Sequence, residues 1–410
     1  MSEKITVKNV VNINKSTLSA KDNWSTLKYL DTGNITENQI DTLQIFQKGE
    51  KLPSRAKRKV EKGTIIYSTV RPNQKHFGYF DAHSNDLVVS TGFATLDVID
   101  PRVNSKYLYY LLTQNSVISQ LQSIGENSTS SYPSIRPEDI GNLSFMFPDI
   151  DIQNKIADIL TSIDKKIQIN NQINQELEAM AKTLYDYWFV QFDFPDQNGK
   201  PYKSSGGKMV YHPELKLEIP EGWGVDSLWN IANFYNGLAM QKYRPVTTED
   251  DYLPVIKIRE MMNGFSKDTE KARLDIPTEA VVERGDILFS WSATLEVIIW
   301  GKEKGALNQH IFKVTSETYP KSFIYFELKS YLKVFKSIAE LRKTTMGHIT
   351  QDHLKQAKIV VPPIELISKL DTQLQPIMSQ QQILENQNQE LTQLRDWLLP
   401  MLMNGQVKVE

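Results

Sequence analysis

Apolar residues recur at three- and four-residue steps along two stretches of this chain. The first series is Ile152, Ile156, Ile159, Ile163, Ile167, Ile173, Leu177, Met180, Leu184 and Trp188. The second is Leu366, Leu370, Leu374, Ile377, Leu384, Leu391, Leu394, Leu398 and Met401. Both seams are narrow and flanked by polar runs, QINNQINQELEAM and SQQQILENQNQEL. That pattern predicts long helices pairing as a coiled coil rather than lying on a broad core. One such helix alone would more often pack on its own domain. Two related ones in a single chain predict packing on each other, with Asn and Gln beside the seam fixing register at some cost in stability. About 40 residues rising about 1.5 Å each make a rod near 60 Å long.

Outside these stretches the pattern changes to short runs rich in β-branched and aromatic residues, bounded by Gly, Pro, Asn or Asp. They predict strands over 64–67, 87–90, 287–290 and 297–300. Amphipathic stretches predict helices over 105–121 and 322–341. Strand-like runs over 143–147 and 357–361 end at Pro148 and Pro362, where proline stops pairing and a new element starts.

These features come in the same order twice. SYPSIRPEDIGNLSFMFPDIDIQNKI, from Ser131, aligns with TMGHITQDHLKQAKIVVPPIELISKL, from Thr345, an offset of 214 residues. At that offset Ile135 meets Ile349, Pro148 meets Pro362, Ile150 meets Ile364 and Lys155 meets Lys369. Asn174-Gln175-Glu176-Leu177 meets Asn388-Gln389-Glu390-Leu391 without a gap. Upstream the register shifts by a few residues, and Lys62-Gly63-Thr64-Ile65-Ile66-Tyr67-Ser68 echoes Arg284-Gly285-Asp286-Ile287-Leu288-Phe289-Ser290. The chain is a tandem duplication of a unit of about 200 residues. A pseudo-two-fold relation between the copies would make the helices antiparallel, with a globular region at each end. Residues 193–222, rich in Gly, Pro, Ser and Asn, are the expected linker between the first long helix and the second globular region.

Composition narrows the function. The 410 residues hold no cysteine, which removes disulfides and thiolate metal sites and agrees with a reducing cytoplasm. No secretory h-region opens the chain and no run of about 18 uncharged apolar residues interrupts it, so a soluble cytoplasmic protein without a membrane partner is expected. The net charge of −2 excludes a bulk basic coat but leaves room for a local basic face. Lys51, Arg55, Lys57, Arg58, Lys59 and Lys62 make one such cluster, against a lone Glu61. A solvated face is the plain alternative.

No catalytic signature is present. Gly206-Gly207-Lys208 lacks the spacing and the Ser/Thr of a phosphate-binding loop. Pro362-Pro363 follows Val361 and precedes Ile364, so the amide acceptor and stacking aromatic of an amino-methyltransferase site are missing, and the pair suits a helix start. His348 and His353 stand five apart, off a common helical face, and no H-E-x-x-H occurs. Pro137-Glu138-Asp139 reads as a helix N-terminus after Arg136 rather than as a nuclease motif, in the place that Thr350-Gln351-Asp352 hold in the other copy.

The ordered set of head, proline, long helix, linker with Ile219-Pro220-Glu221-Gly222-Trp223, second head, proline and second long helix resembles the specificity subunits of type I restriction-modification systems. Leu30-Asp31-Thr32-Gly33-Asn34-Ile35 and Ser68-Thr69-Val70-Arg71-Pro72 are similar to segments of their target-recognition domains. The resemblance spans essentially the whole chain. It implies an α+β protein in which two mixed α/β target-recognition domains are separated by two long helices forming an antiparallel coiled coil, duplicated about a pseudo-two-fold. The expected layout is a first recognition domain over 1–148, a first spacer helix over 149–192, a linker over 193–222, a second recognition domain over 223–362 and a second spacer helix over 363–410. The resemblance further implies that each head reads one half of a split, asymmetric site in double-stranded DNA. The helices bind two methylation subunits and set the half-site spacing. Separate restriction and translocation subunits cleave, S-adenosylmethionine, ATP and Mg belong to partner subunits, and this chain is itself no enzyme and binds no cofactor. A two-headed molecule with a rigid spacer suits such a site, since one DNA turn covers about 34–36 Å.

Candidate DNA-contacting residues lie on loops with side chains suited to phosphates and base edges. In the first head these are Arg55, Lys57 and Arg58 for phosphates, then Ser68, Thr69, Arg71 and Lys75 after a strand, and Ser130, Tyr132, Ser134 and Arg136 in the loop before a helix start. In the second they are Gln241, Lys242, Tyr243 and Arg244, then Ser290, Trp291, Asn308 and Gln309, and Arg342, Lys343, Thr344, Thr345 and His348 in the equivalent loop. Trp291 suits a core position as well as base stacking, and any of these residues suits an ordinary surface loop. Two other functions stay open on sequence alone: a self-contained restriction-methylation enzyme, and a coiled-coil adaptor without DNA readout.

Overall fold

The computed structural model describes residues 4–19, 21–83, 85–247, 251–341 and 348–409. It divides into two units: Met1–Ile167 with Glu390–Glu410, and Gln168–Gln389. Both units repeat one topology. In the first, one four-stranded sheet runs in the order Gln44–Gln47, Thr26–Leu30, Leu87–Ser90, Ala56–Lys59, and a second in the order Val11–Ile13, Phe93–Val98, Ile65–Ser68, Phe77–Tyr79. In the second unit the counterparts are Lys271–Arg273, Tyr252–Ile256, Gly305–Leu307, Val281–Val282, and Asn233–Asn236, Ile311–Thr315, Ile287–Ser290, Glu296–Ile299. Each copy holds a parallel pair at the same place, Leu87–Ser90 on Thr26–Leu30 and Tyr252–Ile256 on Gly305–Leu307. The central strands read as continuous apolar runs because both faces are covered: all four residues of Ile65–Ser68, Leu87–Ser90 and Ile287–Ser290 are buried.

Each copy also closes with a two-stranded ribbon, Lys4–Thr6 on Ser144–Met146 and Gly224–Ser227 on Lys358–Val361. The prolines after these strands release the chain into helices Ile150–Tyr185 and Ile364–Met403. Just before the ribbons, two short helices start alike. The Asp139 carboxylate accepts from the Arg136 N–H at 2.7 Å, and His353 Nδ1 accepts from the Thr350 N–H at 3.0 Å. The expected 105–121 helix is broken into Ser105–Leu112 and Asn115–Glu126. Gln114 between them is extended, and its side-chain amide donates to the Leu111 carbonyl that the break exposes. Its counterpart Lys321–Leu341 is continuous.

The two long helices meet in antiparallel order. Within the second unit, Asn170 Nδ2 donates to Asn388 Oδ1 at 2.9 Å and Asn388 Nδ2 to Asn171 Oδ1 at 2.7 Å, while further along Gln381 Nε2 reaches Glu178 Oε2 at 3.2 Å. As one helix advances from 170 to 178 its partner retreats from 388 to 381, the antiparallel order that a pseudo-two-fold relation between the copies predicts. Within the first unit, Arg395 bonds Asp164 at 3.2 Å, and Tyr110 of the head donates to the same carboxylate at 2.6 Å. Carboxylates hold the largely buried Arg395 guanidinium above its ordinary pKa in spite of burial. Three members of the expected seams stand outside them: Ile152, 40% exposed at the start of the first helix, and two further along. Met180 is 59% and Leu394 43% exposed, and both occupy the same repeat position, while Ala181 is buried beside Met180.

Each unit's core takes in a helix end. Leu402 is buried in the first core, with Leu398, Leu399, Met403, Val407 and Val409 packed against it. Ala181, Tyr185, Trp188 and Phe189 are buried in the second. Residues 193–222 do more than link: Phe194 stacks on Tyr202 at 4.6 Å and on Trp223 at 5.0 Å, and Met209–His212 forms a hairpin with Leu217–Pro220. The aromatic content of that stretch, rather than its Gly and Ser, decides its packing.

One buried contact has a pH signature. Tyr185 donates to Glu327 at 2.5 Å, and burial pushes the Glu327 carboxyl up to about 7. Part of the Glu327 side chain reaches the surface, but the enclosed carboxyl governs its titration. A raised folded-state value means the protonated acid favours folding, a gain complete below the ordinary carboxylate range and lost as pH rises through about 7. Glu327→Gln keeps an acceptor for Tyr185 without a charge. Denaturant melts across pH are expected to coincide for the two proteins below about pH 4, with the variant more stable at pH 8 by up to about 3 kcal/mol. Parallel curves would contradict the assignment.

Candidate nucleic-acid interface

In the first unit, strand Ile65–Ser68 runs into a loop that the chain pins from several sides. Thr69 bonds the Gly92 carbonyl through both its N–H and its hydroxyl, each at 2.9 Å. Ile135 N–H donates to the Thr69 carbonyl at 2.8 Å, Arg71 N–H donates to the Pro133 carbonyl at 2.9 Å, and Val70 bridges Ser134. Gly92 leaves room there for Thr32, whose Cγ2 would stand 2.8 Å from an added Cβ. Thr91 N–H takes the Arg55 carbonyl at 2.9 Å, so the turn at 91–92 joins this loop to the basic strand Ala56–Lys59.

The second unit builds the same junction. Ile349 N–H donates to the Trp291 carbonyl at 2.8 Å and Ser292 bridges His348. Thr69 therefore corresponds to Trp291, Val70 to Ser292 and Arg71 to Ala293. Arg71 (φ 47°) and Ala293 (φ 55°) both adopt the left-handed conformation that side chains usually avoid. Strain at matching positions marks a loop shape that the surrounding structure enforces.

The expected site residues fall into distinct groups on this frame. Ser68 and Ser290 are fully buried, their hydroxyls donating to the Val70 carbonyl at 2.9 Å and the Thr294 carbonyl at 2.5 Å. These two hold the loop and offer nothing outward, a correction to their expected role as contacts. Asn308 is buried as well, and its backbone passes so close to Gly237 that a Cβ there would meet the Asn308 carbonyl oxygen at 2.3 Å. Thr69 and Ser134 are half-buried within the junction; Ser130, Tyr132, Arg136 and Arg71 are exposed. Arg71 sits over the Tyr132 ring at 5.7 Å, and Arg136 stays near Asp139. Lys75, also left-handed, is paired with Glu37.

Arg55, in the turn before the basic strand, and Lys57 on it are exposed, while Arg58 turns inward, its Nε buried and burial lowering the guanidinium's pKa. In the second unit Trp291 faces His310 at 5.6 Å and His348 at 6.2 Å and donates to Asn236 at 2.9 Å. Gln309 is half-buried next to them. Gln241, Lys242 and Arg244 are exposed on the turn Met240–Tyr243 and just after it, with Arg273 over the Tyr243 ring at 5.9 Å. Arg342, Lys343, Thr344 and Thr345 lie outside the described residues. The structure adds Asn236 and His310 to the Trp291 cluster; His310 adjoins the expected Asn308 and Gln309 and suits a hydrogen-bonding role, while nothing in the sequence points to Asn236.

Among the described residues no group of three or more His, Cys, Asp or Glu side chains is placed to hold a metal ion, and no helix is long and apolar enough to cross a membrane. Residues 2–179 and 220–393 each match the profile of the type I restriction modification DNA specificity domain. The chain belongs to that family. It is similar to the type I restriction enzyme HindI specificity subunit of Haemophilus influenzae, 26% identical with 92% of this chain and 94% of that protein covered. It is also similar to the MjaIX specificity subunit of Methanocaldococcus jannaschii, 27% identical over 93% of this chain and 84% of that one. The type I restriction-modification S subunit of M. genitalium shares the fold, with a TM-score of 0.53 at 15% identity over 98% of this chain and 95% of the other. This chain is thus a type I specificity subunit with its recognition domain duplicated, and the two matched stretches contain the two junctions described above.

Lys57 is exposed on the basic strand, and a phosphate contact is the role expected of it. Lys57→Ala is expected to weaken binding of the assembled complex to specific and unrelated duplexes alike, and to reduce the slope of log affinity against log salt by about 1. Titration of both duplexes over about 50–200 mM salt measures it; an unchanged slope would remove Lys57 from the interface.

Proposed function

We propose that this specificity subunit reads a split, asymmetric site in double-stranded DNA, one half with each recognition domain, for a type I restriction-modification complex. The observation that carries the reading is the junction built twice on one backbone plan with different side chains at matching positions: Thr69, Arg71 and Ser134 in one unit, Trp291, Ala293 and His348 in the other. A duplicated scaffold with unlike tips suits two different half-sites, whereas identical tips would suit a palindrome. Arg55 and Lys57 supply positioning contacts to phosphate, and the tip residues face base edges.

The long helices dock two methylation subunits. Ile169 (51% exposed) and Ile383 (48%) stand 214 residues apart, as do Met180 and Leu394, so these two apolar surface positions each occur twice. Isolated exposed apolar residues need no explanation, but a set repeated at the duplication offset suits two copies of one partner. S-adenosylmethionine, ATP and Mg act on those partners and on the restriction subunits, in the cytoplasm, and the present chain contributes recognition without catalysis.

Co-expression with the cognate methylation subunit, followed by mapping of methylated adenines in host DNA, tests this function. One split, asymmetric motif that vanishes without this chain is expected. A complex that assembles but leaves no such motif would contradict DNA reading and favour a helical adaptor; S-adenosylmethionine binding by the isolated chain would favour a self-contained enzyme.

A further inference from the structure

We infer that Arg71, held over the ring of Tyr132, contacts a guanine in the half-site read by the first recognition domain. The inference rests on the DNA-reading function proposed above and adds a base identity to it.

Four observations converge on Arg71. First, it has no carboxylate partner among the described residues, in contrast to nearby charges that are already matched: Lys75 with Glu37, Lys59 with Asp22, Arg136 with Asp139. An exposed guanidinium without such a partner keeps its five donors for an external acceptor. Second, its side chain rests on an aromatic ring. The guanidinium carbon lies 5.7 Å from the Tyr132 ring centre, and both residues sit on segments tied together by the Arg71–Pro133 bond and the Val70–Ser134 bridge. A planar fork oriented in this way can present two parallel N–H groups, which a freely swinging lysine cannot.

Third, the backbone at Arg71 is left-handed, and Ala293 at the matching position of the other domain is left-handed too. The loop therefore has its shape whether or not an arginine is present, so the arginine is not there to make the loop. Fourth, a separate set of exposed cations stands close by for the phosphates, Lys57 on the adjoining basic strand and Arg55 in the turn that leads into it. In the major groove, guanine O6 and N7 are the pair of acceptors that an arginine fork matches, and this pair is distinct from what adenine, cytosine or thymine offers. Where the second domain has Ala293, that reading is unavailable, and Trp291 with His310 and His348 stands in the equivalent region.

The test uses the full chain assembled with its methylation subunits. Methylated motifs are mapped for the wild type and for Arg71→Ala, Arg71→Lys and Tyr132→Ala. The wild-type motif is expected to contain a guanine in one half whose replacement lowers methylation roughly 10- to 100-fold. Arg71→Ala should keep the spacing and the other half-site while reducing that preference to within about twofold, with Arg71→Lys and Tyr132→Ala in between. A motif unchanged by Arg71→Ala, one weakened equally at every position, or one altered in both halves overturns the inference while leaving the split-site function standing. Absence of any split motif in the wild type overturns both. Should Arg71→Ala give no methylation at all, wild-type binding to duplexes carrying 7-deazaguanine decides. Loss of N7 at one guanine of one half-site should weaken binding roughly tenfold. Indifference at every guanine of the motif overturns the assignment.

Discussion

Each recognition domain depends on a piece of helix that arrives from the other repeat. The first core is closed by Leu402, Leu398, Leu399 and Met403, which belong to the helix that starts at Ile364. The second is closed by Ala181, Tyr185, Trp188 and Phe189, which lie at the end of the helix that starts at Ile150 or in the turn that continues it. Burying such side chains contributes about 1.5–3 kcal/mol each, a sizeable share of the 5–15 kcal/mol by which domains are typically stable. Polar contacts add direction to this apolar closure. Tyr110 and Arg395 meet on Asp164 in one unit, and Tyr325 and Gln381 meet on Glu178 in the other. These contacts leave the helices little freedom to slide, since a shifted register would strand Asp164, Glu178 and the asparagines around Asn388 without partners.

The duplication was the most legible feature, and its register explains why. From Ser131 onward the two copies run without a gap through a capped helix start, a strand, a proline and a helix, and each of these elements has a fixed length set by its neighbours. Upstream, matched elements such as Ile65–Ser68 and Ile287–Ser290 keep their order while the loops between them differ: the first copy follows its strand Thr26–Leu30 with a tight turn and the small hairpin Ile35–Ile40, the second follows Tyr252–Ile256 with helix Ile258–Asn263. Periodicity placed the buried strands and long helices well because a covered sheet face and a helix stripe each impose a simple repeat. It misplaced Met180 and Leu394, since an apolar residue one step from the seam satisfies the same spacing. The break at Gln114 was invisible, because it depends on one side-chain amide capping one carbonyl.

The candidate interface was legible in outline and not in detail. Polar loops after strands and before helix starts pointed to segments that the structure brings together, tying Thr69–Arg71 to Pro133–Ile135 and Trp291–Ser292 to His348–Ile349. What sequence could not separate was residues that support from residues that present. Ser68 and Ser290 share the chemistry of a DNA contact, yet their hydroxyls close the loop from inside. Asn308 looked like a reader and is backbone scaffolding against Gly237. The division has a physical logic: the parts common to both domains face inward and fix the left-handed turn, while Arg71, Tyr132, Trp291 and Ala293, which differ, stand at the tip. Recognition can then diverge in each half without disturbing the core that carries it.

The central claim is that each domain's core is completed by the far end of the other repeat's helix. Hydrogen exchange on Leu402→Ala tests it most directly, since the variant removes one buried side chain from the second helix alone, at an expected cost of 2–5 kcal/mol on the scale of about that size known for buried leucines. Faster exchange is predicted in Ile65–Ser68, Phe93–Val98 and Ser105–Leu112, with Ile287–Ser290 and Ile311–Thr315 as protected as in the wild type. Unchanged protection in the first set, or equal loss in both, would contradict the account.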